Sequence, residues 1–192
     1  MKLLLVPAST ETVNQSILGS IDLEVAGEDL KQTEFEQLSK RLQGDQKFNC
    51  WALSEGKRSV FQQIEPDDRV LITTKGTGLF EYYATIYHKV ESEKLGRSIG
   101  WRYVPGKPWN LIYFLRNIKK REINKEKMVE FLGYKKIFPV YGTTIVSPER
   151  LARPLSNHES LDDFVEHFPR DSAETAGWPI RRAQPSSLAY RP

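Results

Sequence analysis

The sequence predicts an α+β domain, a small curved mixed sheet or barrel flanked by short helices. Three observations predict it. Short runs of β-branched and aromatic residues are interleaved with segments of helical period, and Gly/Pro-containing turns separate them. Two of the runs, 69–74 and 79–90, are joined by Lys75-Gly76-Thr77-Gly78, a loop of hairpin type. The chain has 192 residues, 39% of them hydrophobic, which suffices for one buried core and a tail but is short for two domains.

The elements follow in order. Residues 3–6 form a buried strand that Pro7 breaks. Ser9 or Thr10 caps a short helix with Val13, Ile17 and Leu18 on its apolar side. Thr33 and Glu36 read as a capping box ahead of Phe35, Leu38 and Leu42, and Gly44-Asp45 ends that helix. Residues 48–53 are apolar and extended, and Val60, Phe61 and Ile64 make one or two helical turns. Pro66-Asp67-Asp68 turns into strand 69–74. The partner strand alternates Phe80, Tyr82, Ala84 and Ile86 on one face with Tyr83, Thr85 and Tyr87 on the other. A loop containing Gly96, Gly100, Pro105, Gly106 and Pro108 carries Trp101 and Trp109, and strand 111–115 follows. Asn124 caps a helix with Met128, Phe131 and Leu132 inward and Gly133 as its stop. Residues 137–141 form another strand, and Ser160 starts a helix with Leu161, Phe164, Val165 and Phe168. Residues 1–168 therefore make the domain; 169–192, rich in Pro, Ser, Ala and Arg, make a tail or linker.

The formal net charge of +3 conceals a polarised chain. Residues 11–68 carry 12 acids against 6 bases, whereas 94–136 carry 12 bases against 3 acids. The single cysteine, Cys50, excludes a disulfide scaffold and a multi-cysteine zinc site. The longest apolar run, 3–6, is too short for a signal-peptide core or a membrane span. A soluble, cytoplasmic protein with no membrane partner is expected.

Catalytic patterns are missing from the sequence. His88, His158 and His167 have no metal-ligand spacing and read as solvated surface residues. No phosphate-binding loop or nucleophile elbow is present, so no cofactor is expected. Cys50, beside Trp51 in an apolar strand, reads as a core filler. Glu55-Gly56-Lys57 and Asp45-Gln46-Lys47 match the acid-x-Lys triplet of metal-dependent nucleases, yet neither follows another acid on a clear strand.

Aromatic residues beside glycines and bases stand out instead. Trp51, Trp101 and Trp109 can stack on a planar guest, and a nucleobase is one. The basic segment supplies phosphate contacts: Arg97, Arg102, Lys107, Lys119, Lys120, Arg121 and Lys125 are the candidates, within a set that also holds Lys94, Arg116, Lys127, Lys135 and Lys136.

The order of these elements resembles that of YTH and EVE domains of the PUA-like superfamily. The run Val6-Pro7-Ala8-Ser9-Thr10-Glu11-Thr12-Val13-Asn14-Gln15-Ser16-Ile17 is similar to their opening strand, polar turn and short helix. Trp51-Ala52 matches their Trp followed by a small residue, after an inserted acidic helix near 28–43. The hairpin 69–86 and the order Trp101 then 111–117 complete the likeness over about residues 1–145. Residues 108–115 with Leu132-Gly133-Tyr134 look most like the EVE-type N-terminal domains of McrB-type modification-dependent restriction proteins.

The resemblance implies a non-catalytic module that flips a methylated base into an aromatic cage. Trp51 and Trp101 would be facing walls, with Trp109 and Tyr82 beside them; the backbone around Ala52 would read the base edge. Thr12 stands where the family has a polar residue reading a ring nitrogen. N6-methyladenine is the first candidate base and 5-methylcytosine the second. The partners implied are modified double-stranded DNA and the motor and nuclease of a restriction complex, carried elsewhere. Two other readings remain open: an RNA reader of N6-methyladenosine, and a small metal-dependent nuclease or RNA-modifying enzyme using Glu55 and Lys57.

Overall fold

A computed structural model describes residues 1–99, 109–135 and 138–169. Among them the apolar runs become β1 (Leu3–Ala8), β2 (Ile21–Asp22), β3 (Lys47–Leu53), β4 (Arg69–Thr74), β5 (Leu79–Glu91), β6 (Leu111–Asn124) and β7 (Thr144–Ile145). These strands form one mixed sheet in the order β2-β3-β6-β5-β4-β1-β7. The β1–β4 pair is parallel and the other pairs are antiparallel.

Both faces of this sheet are buried, which is why β1 reads as an unbroken apolar run rather than an alternating one. Leu4 and Val6 point into one core with Val70, Ile72, Ala84, Ile86, Trp51 and Tyr113. Leu3 and Leu5 point into another, covered by α6 (Lys125–Phe131), α7 (Pro148–Leu155) and α8 (Leu161–His167). A third cluster sits under α2 (Leu23–Asp29), α3 (Gln32–Leu42) and α5 (Glu93–Ser98), against Cys50, Tyr87 and Phe114. The first core draws side chains from both β1 and β3, which lie four positions apart in the sheet. A flat sheet would hold them about 19 Å apart at the usual strand spacing. The sheet is therefore strongly curled, with that core on its concave side, and it stays open between β2 and β7 instead of closing into a barrel.

Several local expectations hold. Ser9 caps α1 (Thr10–Val13) by accepting from Thr12 N–H at 3.2 Å. Asn124 caps α6 and Ser160 caps α8 in the same manner. α4 (Arg58–Gln63) extends a short 3-10 turn at Glu55–Lys57.

Other expectations are corrected. Pro7 does not break β1. The Lys2 and Ala8 carbonyls accept from Arg69 and Lys75 on the β4 side, and the Leu3 carbonyl accepts from Val146 on the other. Pro7 thus faces the β7 side, beyond the end of β7, where no donor is needed. After α1 the chain widens into a π-helical turn, Asn14–Leu18, and the change of period carries Leu18 out to solvent at 58% exposure. Glu34, not Glu36, reaches back to the start of α3, its carboxylate accepting from the N-cap Lys31 N–H at 3.2 Å, because the helix begins before Thr33. Register shifts in β5 put Phe80 and Tyr82 on opposite faces, since each bulge reverses the alternation.

The segment read as a loop from Gly96 begins as helix α5, capped by Ser92. β6 runs on well past Leu115 to Asn124. Residues 138–141 form no strand; the strand of that region is β7. Residue 137 and most of the tail lie outside the described residues.

Candidate nucleic-acid interface

A pocket of about 250 Å³ opens where the two sides of the curled sheet approach without meeting. Its lining is Pro7, Ala8, Ser9, Thr12, Trp51, Ala52 and Trp109. Four of these, Trp51, Ala52, Trp109 and Thr12, are residues the sequence singles out, brought together from β3, the approach to β6 and α1. Pro7, Ala8 and Ser9 were not expected as lining; the strand end and helix cap they form are the signal that could have placed them there.

The pocket has its own hydrogen-bonding edge. Leu23 N–H donates to Gln46 O at 2.8 Å, and Asp22 and Ile21 pair with Lys47 and Phe48 in the same register. In an antiparallel ladder that register turns the even-numbered peptide groups of β3 toward β2 and the odd-numbered ones toward β6. β2 stops at Phe48, so the Ala52 N–H and C=O lie on an edge along which no strand pairs among the described residues. The Ala52 side chain belongs to the opposite core, so this residue presents backbone to the pocket. Pro7 occupies the free edge of β1 on the other side. The Ser9 and Thr12 hydroxyls, 2.8 Å apart, form the polar rim.

Trp51 is 7% exposed and Trp109 is 37% exposed, so one ring is packed into the concave core and the other stands partly in solvent. Trp109 is held by its backbone. A Cβ on Gly96 would lie 2.0 Å from the Trp109 carbonyl oxygen, so only glycine lets α5 approach this closely. Ser92 N–H donates to Asn110 O at 2.9 Å. The Asn110 side chain donates to Glu55 at 3.0 Å, and Glu55 is in turn paired with Arg58, which reaches Glu91 at 2.8 Å.

Tyr82 is not part of the lining; it packs half-buried against the concave core on β5. Trp101, Arg102 and Lys107 lie outside the described residues.

The remaining phosphate candidates divide by face. Lys119 and Arg121 point toward α8, where Glu166 pairs with both, and the Arg121 side chain is only 10% exposed. Lys120 lies on the alternate face and is 3.2 Å from Glu122, itself exposed. Arg97 pairs with Glu93 on α5. Lys125 N–H donates to Gly78 O in the β4–β5 hairpin, and Lys75 N–H of the same hairpin donates to Ala8 O, so Lys75 adjoins one residue of the pocket lining.

Other chemistry is accounted for by packing. Burial pushes the Cys50 thiol far up from its ordinary range, as suits a core residue. Hydrogen bonds from Arg58 and Asn110 hold the Glu55 carboxyl down to about 2. Lys57 runs against Gly142. His88 is buried, not solvated, and burial with Arg41 nearby lowers its pKa to about 4. His158 is also largely covered and meets Asp163 at 3.0 Å. Among the described residues no cluster of three His, Cys, Asp or Glu could hold a metal, and no helix is long and apolar enough to cross a membrane.

An open, curled mixed sheet with short helices on both faces defines an α+β domain. The structure is similar to the N-terminal domain of McrB from Thermococcus gammatolerans bound to m5C DNA, with a TM-score of 0.59 and 16% identity, covering 82% of this chain and 98% of that one. A variant of the ASCH protein of Zymomonas mobilis gives a TM-score of 0.46 and 13% identity over 81% of this chain and 98% of that one. No protein-family model matches the chain, and no curated protein matches it. The first likeness is one of fold; what the site does rests on its residues.

Proposed function

We propose that this chain is a non-catalytic DNA-binding module that recognises a methylated base by receiving it, flipped out of the duplex, in the pocket between β1 and β3. The observation that carries this reading is the pocket itself. Two tryptophans, an unpaired backbone edge at Ala52 and two hydroxyls meet in about 250 Å³, below the roughly 300–1,000 Å³ of sites for drug-sized ligands. That is room for one base, with stacking surface for its faces and backbone groups for its edge.

A methyl group adds apolar surface that the tryptophan side chains favour, and stacking offsets the few kcal/mol of unpairing. The fold neighbour bound to m5C DNA supports 5-methylcytosine ahead of N6-methyladenine. Trp101 serves as a further wall, and Lys120, Lys125, Arg102 and Lys107 contact phosphates. The motor and nuclease of a restriction complex act on the DNA so marked.

The test is an anisotropy titration with 5-methylcytosine, N6-methyladenine and unmodified oligonucleotides, each as DNA duplex, single strand and RNA. Preference for one methylated duplex is expected. Equal affinity for methylated and unmethylated DNA would sink the reading, and preference for methylated RNA would replace DNA by RNA as the partner.

A further inference from the structure

On the convex face of the sheet, away from Trp51, two adjoining cavities of about 450 and 480 Å³ share Arg41, Gln43, Tyr87 and Arg116. We propose that this groove is a second ligand site, one that binds a phosphate group carried by a nucleotide or a nucleic-acid strand.

The floor of the groove is Tyr87, which is 4% exposed, and among the described residues no group hydrogen-bonds to its hydroxyl. Buried polar atoms are satisfied as a rule, so this phenol calls for an acceptor from outside the chain. The groove supplies the matching charge. Arg41 donates to Tyr87 O at 3.0 Å, and Arg116 donates to Asp67 at 3.0 Å. Each guanidinium is thereby fixed in place with further N–H donors to spare. Lys40 adds positive charge at the rim, Lys47 pairs with Asp22 at 3.4 Å, and Asp45 and Asp67 are the opposing carboxylates.

The backbone points to the same place. The non-glycine residues with left-handed φ among those described are Gln43 at 54°, Asp67 at 67° and Asn117 at 53°, and all three line this groove. Such conformations persist where surrounding structure enforces them, and they gather at ligand sites. An acceptor-rich anion fits these groups: phosphate oxygens take the Tyr87 hydroxyl and the two guanidinium forks.

Calorimetry and thermal melting with inorganic phosphate, deoxyadenosine 5′-monophosphate and an unmodified single-stranded tetranucleotide test the site. Tyr87→Phe is expected to raise the melting temperature of the free protein, because the unsatisfied hydroxyl is gone, and to weaken phosphate and nucleotide binding about tenfold. Arg116→Gln is expected to weaken it at least as much. Binding of the tetranucleotide alone assigns the site to a strand; binding of phosphate or the mononucleotide assigns it to a free ligand. No binding of any probe at millimolar concentration overturns the proposal, as does binding that both variants leave unchanged. The probes carry no modified base and are read on groove variants, so the outcome stands apart from the base pocket.

Discussion

The two halves of β6 differ in burial, pairing and charge. Residues 111–115 are each at most 2% exposed and lie between β3 and β5. Beyond Leu115 the pairing with β3 ends, Asn117 turns to positive φ, and the strand continues beside β5 alone as a mostly exposed basic edge. The first half is placed by packing and leads directly from Trp109. The second is an edge whose lysines also discourage pairing with another chain. Charge therefore has two meanings here: Glu166 already occupies Lys119 and Arg121, whereas the Trp51 pocket sits beside the uncharged half.

That contrast is best broken at Trp51. Trp51→Ala is expected to lose about 1–3 kcal/mol of stacking, or roughly 5–150-fold in affinity for methylated DNA. Trp51→Phe, which keeps an aromatic core residue, should retain the fold and part of the affinity. Affinity that survives both changes in an anisotropy titration would move recognition to the basic half.

Gly96→Ala sharpens the same point one shell away from the pocket. Alanine stabilises most helices, but here the new methyl meets the Trp109 carbonyl. We expect a loss of about 1–3 kcal/mol in denaturant unfolding, as for overpacked sites, together with weaker binding. A gain in stability would show that Trp109 is not held by this contact.

Within the basic half, Lys120→Ala should reduce the slope of log affinity against log salt by about 0.9, the value for one phosphate contact. Arg121→Ala should leave the slope unchanged and lower stability slightly through the lost Glu166 pair. The reverse pattern would mean that DNA displaces Glu166.

A pH dependence is expected on the convex face. His88, with Arg41 beside it, is held neutral by burial, with a pKa of about 4 against an ordinary 6.5. The unfolded chain therefore binds the extra proton first, and stability falls as pH drops from about 6.5 to about 4, with no further loss from this group below that. His88→Gln should flatten that part of the curve in pH-dependent melting.

Much of the fold was legible. Ser9, Asn124 and Ser160 are caps wherever a short polar side chain precedes a helical period, and strand 69–74 coincides with β4, because these signals are local. The errors fall where a non-local partner decides. Pro7 is tolerated because β7 ends short of it, and the faces of β5 depend on bulges against β6; Leu18 is a local exception, exposed because the helix widens into a π-turn. In the pocket, Thr12, Trp51, Ala52 and Trp109 could be named from the sequence; Pro7, Ala8 and Ser9 could not, and Tyr82 stands elsewhere.

By itself the sequence determined an α+β domain with short capped helices, strands buried on both faces, a polarised charge and tryptophans near its glycines. Those properties follow from side-chain type and spacing, which act over a few residues. Tertiary structure alone decided that Thr12 and Trp51 meet, that Ala52 offers a free backbone edge, that Gly96 sets the place of Trp109 and that Glu166 claims two of the bases. These depend on how far the sheet curls and where β2 and β7 stop, and such geometry is fixed by the summed packing of three cores rather than by any one segment.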